Sequence, residues 1–243
     1  LETATADEQP TADPWHRGRL AAFDTETTGP DPETARIVTA TIALVGGGQP
    51  TKIASLLIDP GIDIPAEATA VHGVTTEHAR EHGIQPAEAI PAIEQQLATA
   101  WAAQIPVIAF NAAFDFTVLS REMDRNGGRC LTVAGPVVDP YVIDREIDKY
   151  RRGKRILTAC CEHYRVRHDG AHDATADALA AGRIAWAICQ RYPAIAAMSL
   201  ADLHAAQVKW HATRQADFAA YLRNVGKSAD DVCGDWPLRP APA

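Results

Sequence analysis

Asp24 and Glu26 stand two residues apart in the run Phe23-Asp24-Thr25-Glu26-Thr27-Thr28-Gly29, directly after an apolar stretch. In a strand, residues two apart share a face, so both carboxylates would project together at the strand's C-terminal end. Neighbouring carboxylates repel, and the pairing becomes tolerable when a divalent cation lies between them. Alone, the pair also fits an acidic turn capping a strand. Asp115 closes a second run, Asn111-Ala112-Ala113-Phe114-Asp115, again behind an apolar stretch. Alone it also fits a helix cap. His172 to Asp177 adds an imidazole and a fourth carboxylate, with Asp173 and Asp177 four apart on one helical face. Two strand ends and one helix start, all acidic, can converge over the sheet edge where open α/β folds bind ligands.

The elements that must position these groups follow from periodicity. Segments 19–24, 36–45 and 52–59 read as strands, and Gly46-Gly47-Gly48 reads as a hairpin turn. A helix over 86–102 carries apolar residues at 90, 93 and 97. A short buried strand over 106–109 precedes a helix over 113–126 with Phe116, Leu119 and Met123 on one stripe. Segment 136–139 reads as a further strand. Segments 141–147, 156–163 and 172–192 read as helices. This order predicts an α/β body with a mixed sheet over 18–192. It is flanked by a loose arm over 1–17, whose end Trp15 pins, and a helical extension over 193–243. Ser199 to Asp202 has the form of a capping box. No Gly-rich dinucleotide or phosphate loop is present.

Composition narrows the function classes. The 243 residues are 47% hydrophobic and 22% charged, which is globular. Alanine makes up about a fifth of the chain, so the apolar fraction overstates the bulk available for a core. The net charge of −8 excludes a non-specific polycation surface. Contact with nucleic acid would need a local basic patch, or cations in an acidic cleft. No apolar run reaches membrane-spanning length, so no membrane partner is expected. The N-terminal segment lacks a positive-then-apolar signal, and a start at Leu1 points to a trimmed chain. Five cysteines without CxxC spacing indicate neither a zinc site nor a disulfide scaffold. Reduced, buried thiols favour a cytoplasmic compartment.

FDTETTG, NAAFDF and HDATADA together resemble the three motifs of the DEDD exonuclease superfamily, in order, spacing and residue type. His172, five before Asp177, resembles the His-containing branch rather than the Tyr branch, as in the proofreading epsilon subunit of bacterial DNA polymerase. The segment EATAVHGVT at 67–75 also resembles that branch. The likeness covers about residues 18–192. It implies a ribonuclease H-like fold with a five-stranded mixed sheet whose second strand is antiparallel. It also implies metal-dependent 3′–5′ hydrolysis of terminal phosphodiesters in single-stranded or frayed DNA, releasing nucleoside 5′-monophosphates. Close relatives cleave oligoribonucleotides with the same residues, so RNA is the alternative substrate. A non-catalytic binding or structural subunit is the non-enzyme alternative.

By this likeness Asp24, Glu26, Asp115 and Asp177 hold two divalent cations, Mg²⁺ or Mn²⁺, and hard carboxylate oxygens suit both. His172, whose free pKa lies near neutrality, is the implied general base. The implied partner is a nucleic-acid 3′ end, with a DNA polymerase or repair protein as a possible further partner in proofreading. Implied substrate contacts come from Thr25, Thr27, His72, Asn111 and Phe116, although Phe116 equally suits the core. The basic run over 149–155 fits either a phosphate track or a solvated loop. His78 and His82 sit four apart without an evident third ligand.

Overall fold

The computed structural model describes residues 14–170 and 172–241. Five strands form one sheet: β1 (Arg19–Thr27), β2 (Ile37–Gly46), β3 (Lys52–Leu57), β4 (Val107–Ile108) and β5 (Val137–Val138). The helices are α1 (Ala66–His72), α2 (Thr76–His82), α3 (Pro86–Ala102), α4 (Ala112–Gly127), α5 (Pro140–Ile147), α6 (Leu157–Tyr164), α7 (Ala174–Arg191), α8 (Pro193–Ala196) and α9 (Leu200–Asn224). The sheet order is β3-β2-β1-β4-β5. β2 is antiparallel to β1 and β3, whereas β4 and β5 run parallel to β1. This is the mixed five-stranded sheet with an antiparallel second strand that the sequence leads one to expect. The β2–β3 turn needs glycine at Gly46, which has φ +76° and whose added Cβ would lie 2.7 Å from the Gly18 carbonyl oxygen.

β1 sits at the centre of the sheet because it is apolar on both faces. Ala21 and Phe23 enter one core with α3 and α4, including Ile93, Leu97, Phe116 and Leu119. Leu20 enters the opposite core with Ile184 and Ile188 of α7. Ala22 packs there against Ala43 and Ala178. A Cβ on Gly182 would meet the side chains of Val45 and Ala22 at 3.5 and 3.7 Å. The small residues therefore let α7 lie close over β1. Asp24 and Glu26 continue the parity of Leu20 and Ala22, and so emerge on the α7 face.

Several boundaries differ from the sequence reading. β1 extends to Thr27, because pairing with β2 continues through a register shift after Glu26. The third strand stops at Leu57. The last long helix of the body begins at Ala174 rather than at His172. His172 adopts φ +65°, outside the helical region, and Asp173 caps the helix by accepting from the Ala176 amide at 2.9 Å. Of the proposed arm, residues 1–13 lie outside the described residues. Trp15–Arg17 form a single turn against the body, with His16 buried and the Trp15 indole donating to Ile195 O.

The C-terminal extension folds back onto the sheet. Ser199 caps α9 by accepting from the Asp202 amide, and Asp202 accepts from the serine hydroxyl in return. Gln207 and His204 cover the edge strand β5: Gln207 Nε2 donates to Val137 O, and His204 Nδ1 accepts from the Val137 amide. Beyond α9, Trp236 buries its ring and donates from Nε1 to Asp139. Toward the far end of α9 and just beyond it, Phe218, Tyr221 and Val225 remain exposed. No described helix is long and apolar enough to cross a membrane.

Candidate active site

Asp24 and Glu26 project from β1 toward the first turn of α7, which carries Asp177. Asp115 reaches the same place from another direction. β4 pairs only with Ala21 and Ala22, so the β4 side of β1 is open beyond that point. There the Thr25 amide and hydroxyl both donate to Asp115 Oδ1, at 3.0 and 2.7 Å. The N-terminus of α4, which presents Asp115, is held by Asp139. Asp139 accepts from the Asn111 and Ala112 amides, each at 2.9 Å, and its own amide donates to Gln207.

The electrostatics record how closely these acids are gathered. Burial, followed by Asp115, Asp177, Glu26 and Asp173, pushes the Asp24 carboxyl well above the ordinary carboxylate range. Burial and then Asp177, Asp115 and Asp173 raise Glu26 to about 7. Burial raises Asp115 to about 7 against the lowering effect of its two Thr25 hydrogen bonds. Ligand atoms of Glu26, His172 and Asp177 lie within 4.8 Å of one another. Crowded carboxylate oxygens are the donor set that a hard divalent cation takes, and the His172 imidazole stands beside them.

Of the other residues singled out from sequence, His72 does reach this place. It ends α1, accepts at Nδ1 from the Val74 amide, and lies beside the Thr27 backbone and His172. Its Nε2 is buried without a partner of hydrogen-bonding geometry. Asn111 is exposed at the start of α4. Two of the expected substrate contacts are otherwise employed: Thr25 is committed to Asp115, and the Thr27 hydroxyl donates to Gly29 O at 2.8 Å. Of the two readings of Phe116, substrate contact and core, the structure shows the core. One residue past Asp115, it points into the core, is fully buried, and packs edge-on against Phe23 at 5.8 Å.

Sequence reading passed over His168. Its Nε2 lies 2.5 Å from Asp177 Oδ1, with only a tenth of its side chain exposed. No spacing rule links it to Asp177, nine residues further along and across non-helical backbone. The basic run is partly structural: Arg151 and Arg155 both bind Asp144, which is fully buried on α5. Cys160, Cys161 and Cys189 are buried free thiols, as expected. Among the described residues, no third ligand joins His78 and His82.

The fold matches solved structures across most of this chain. It is similar to Escherichia coli Exonuclease I in complex with a dT13 oligonucleotide, with a TM-score of 0.60 and 19% identity, covering 73% of this chain and 42% of that one. It is also similar to a moderately thermophilic Exonuclease I from Methylocaldum szegediense, with a TM-score of 0.57 and 23% identity, covering 72% of this chain and 41% of that one. The chain thus matches less than half the length of these enzymes. No curated protein matches it. The model of the exonuclease family RNase_T matches residues 21–185, a span that contains all four acidic ligand candidates and His172. The chain belongs to this exonuclease family.

Proposed function

We propose that this chain is a 3′–5′ exonuclease of the His-containing DEDD branch. It would hydrolyse the terminal phosphodiester of single-stranded or frayed DNA and release nucleoside 5′-monophosphates. The observation that carries this reading is the gathering of Asp24, Glu26, Asp115, Asp177 and His172 at one end of β1, with carboxyls driven upward by burial and mutual repulsion. The E. coli structure named above holds an oligodeoxynucleotide, which favours DNA here by analogy.

Asp24, Glu26, Asp115 and Asp177 would hold Mg²⁺ or Mn²⁺. Bound there, the cations supply the positive charge that offsets negative charge building on the phosphate oxygens. His172 stands exposed at the mouth of the cluster and takes the proton of the attacking water. Thr25 keeps Asp115 aimed into the site, and His168 fixes Asp177. The epsilon likeness would place a DNA polymerase or repair protein beside the chain, and turnover by the isolated protein tests whether that partner is required.

The deciding experiment digests 3′-labelled and 5′-labelled strands of matched DNA and RNA with Mg²⁺ or Mn²⁺. Mononucleotide release from the 3′ end supports the proposal. Release from the 5′ end, or only internal cuts, refutes the polarity. A strong preference for short RNA moves the substrate to oligoribonucleotides and leaves the site chemistry unchanged.

A further inference from the structure

α5 and α9 pack side by side and leave a trough of about 250 Å³ between them. Tyr141, Trp210 and Phe218 supply aromatic surface, while Arg145, Lys149 and Arg214 supply positive charge. One end opens, across His211 and Gln215, into a cleft of about 190 Å³ that reaches Phe114 and Asn111. Asn111 lies one helical turn ahead of Asp115. The other end continues, past Arg145, Lys149 and Arg214, into a basic depression of about 320 Å³ that includes Lys154. The continuous path therefore runs from the catalytic edge to the basic loop.

Its charge is opposite to that of the chain. Seven basic side chains line the path against three acidic ones, on a protein of net charge −8. Lys149 is paired with Glu146 at 2.9 Å, Arg239 lies 3.7 Å from Glu33, and Arg151 and Arg155 are held by Asp144. Among the described residues, Arg145, Lys154 and Arg214 belong to no ion pair with a carboxylate. Arg145 is also fixed over the Tyr141 ring, 5.1 Å from its centroid. Rings interleaved with free cations along a groove match single-stranded nucleic acid, whose bases stack and whose phosphates track positive charge.

We propose that this trough carries the strand of single-stranded nucleic acid that leads to the 3′ end being cut. The proposal rests on the exonuclease reading above, and it gives the C-terminal helix a role in substrate recognition. It predicts that affinity depends on strand length through α5 and α9.

The test compares kcat/KM on a 15-mer and on a trinucleotide for the parent and for the triple variant Arg145→Ala, Lys154→Ala, Arg214→Ala. The ratio of 15-mer to trinucleotide efficiency is expected to fall at least tenfold, mainly through KM. In parallel, anisotropy of a labelled 15-mer is followed against salt in EDTA. Loss of three phosphate contacts lowers the log–log salt slope by about 2. Phe218→Ala, at an exposed ring, should weaken 15-mer binding about fivefold or more by loss of stacking. An unchanged ratio together with an unchanged slope overturns the proposal. So does a labelled acidic peptide that loses binding in the triple variant while the 15-mer does not, since that assigns the trough to a protein partner. If the parent releases no nucleotide at all, the exonuclease reading fails, and the binding arm still decides the trough.

Discussion

Glu26→Gln should stabilise the cation-free protein while abolishing its activity. The Glu26 carboxyl moves from an ordinary 4.5 to about 7 on folding, by burial and by repulsion from Asp177, Asp115 and Asp173. A raised carboxyl binds more protons folded than unfolded, so stability falls as pH rises from 4.5 through 7, and the penalty is complete above that. The displacement corresponds to about 3 kcal/mol at pH 8. Glu26 is only partly buried, and solvent screening brings this to about 1–2 kcal/mol. Glutamine keeps the shape of the neutral acid and removes the charge. In EDTA at pH 8 the variant should melt about 5 °C above the parent. At pH 5 the gap should shrink to about a quarter, because the parent's carboxyl is then protonated. Added Mn²⁺ should reverse the order, since only the parent retains the full ligand set. Thermal unfolding in EDTA across pH 5–8, repeated with Mn²⁺, measures all three. A variant less stable than the parent at pH 8, or a gap that does not change with pH, would refute the repulsion argument.

Asp24→Asn should remove most turnover and leave the circular dichroism spectrum of the parent, and digestion at the parent rate would exclude Asp24 from the site. His172→Ala should lower single-turnover rates about 10²–10⁴-fold, with cation binding retained. Collapse of cation affinity would instead make His172 a ligand. Thr25→Val deletes a hydroxyl bond to a buried carboxylate worth about 1.5–3 kcal/mol, so cation affinity should drop at least tenfold, with Thr25→Ser restoring it. Trp236→Ala should cost about 3–5 kcal/mol in chemical denaturation, although it lies outside the catalytic cluster.

The clustered carboxylates were legible because each sits at a place periodicity can locate. Asp24 and Glu26 have the two-residue spacing of a strand. Asp115 and Asp177 stand near helix starts that follow recognisable breaks. Phe116 stayed open between substrate and core because it directly follows Asp115, although the stripe it shares with Leu119 and Met123 is the one the structure buries. His168 was invisible for a different reason: it lies nine residues before Asp177, a separation that neither strand nor helix periodicity brings together. The basic loop was half legible. Its charge was plain, but the buried Asp144 that takes up Arg151 and Arg155 lies among apolar residues of α5, with no local sign that it needs two guanidiniums. The trough depends on α9 folding back, which the capping box at Ser199–Asp202 could start but not direct.

Family likeness ends at residue 185, but the folding unit does not. Asp139, buried and raised to about 6, anchors the start of α4 and is itself satisfied by Trp236 and Gln207 from the last fifty residues. An excised piece ending at the homology boundary would remove one of the four donors to that carboxylate, leave the Asp139 amide without Gln207, and uncover β5. It would also loosen the α4 terminus that presents Asn111 and Asp115. Transplanting the catalytic portion into another protein therefore requires carrying the tail along as ballast. The same dependence predicts where sequence drift is tolerated: surface positions of α9 outside the trough are free to vary, whereas Gln207 and Trp236 are bound to Asp139 and must change together with it or not at all.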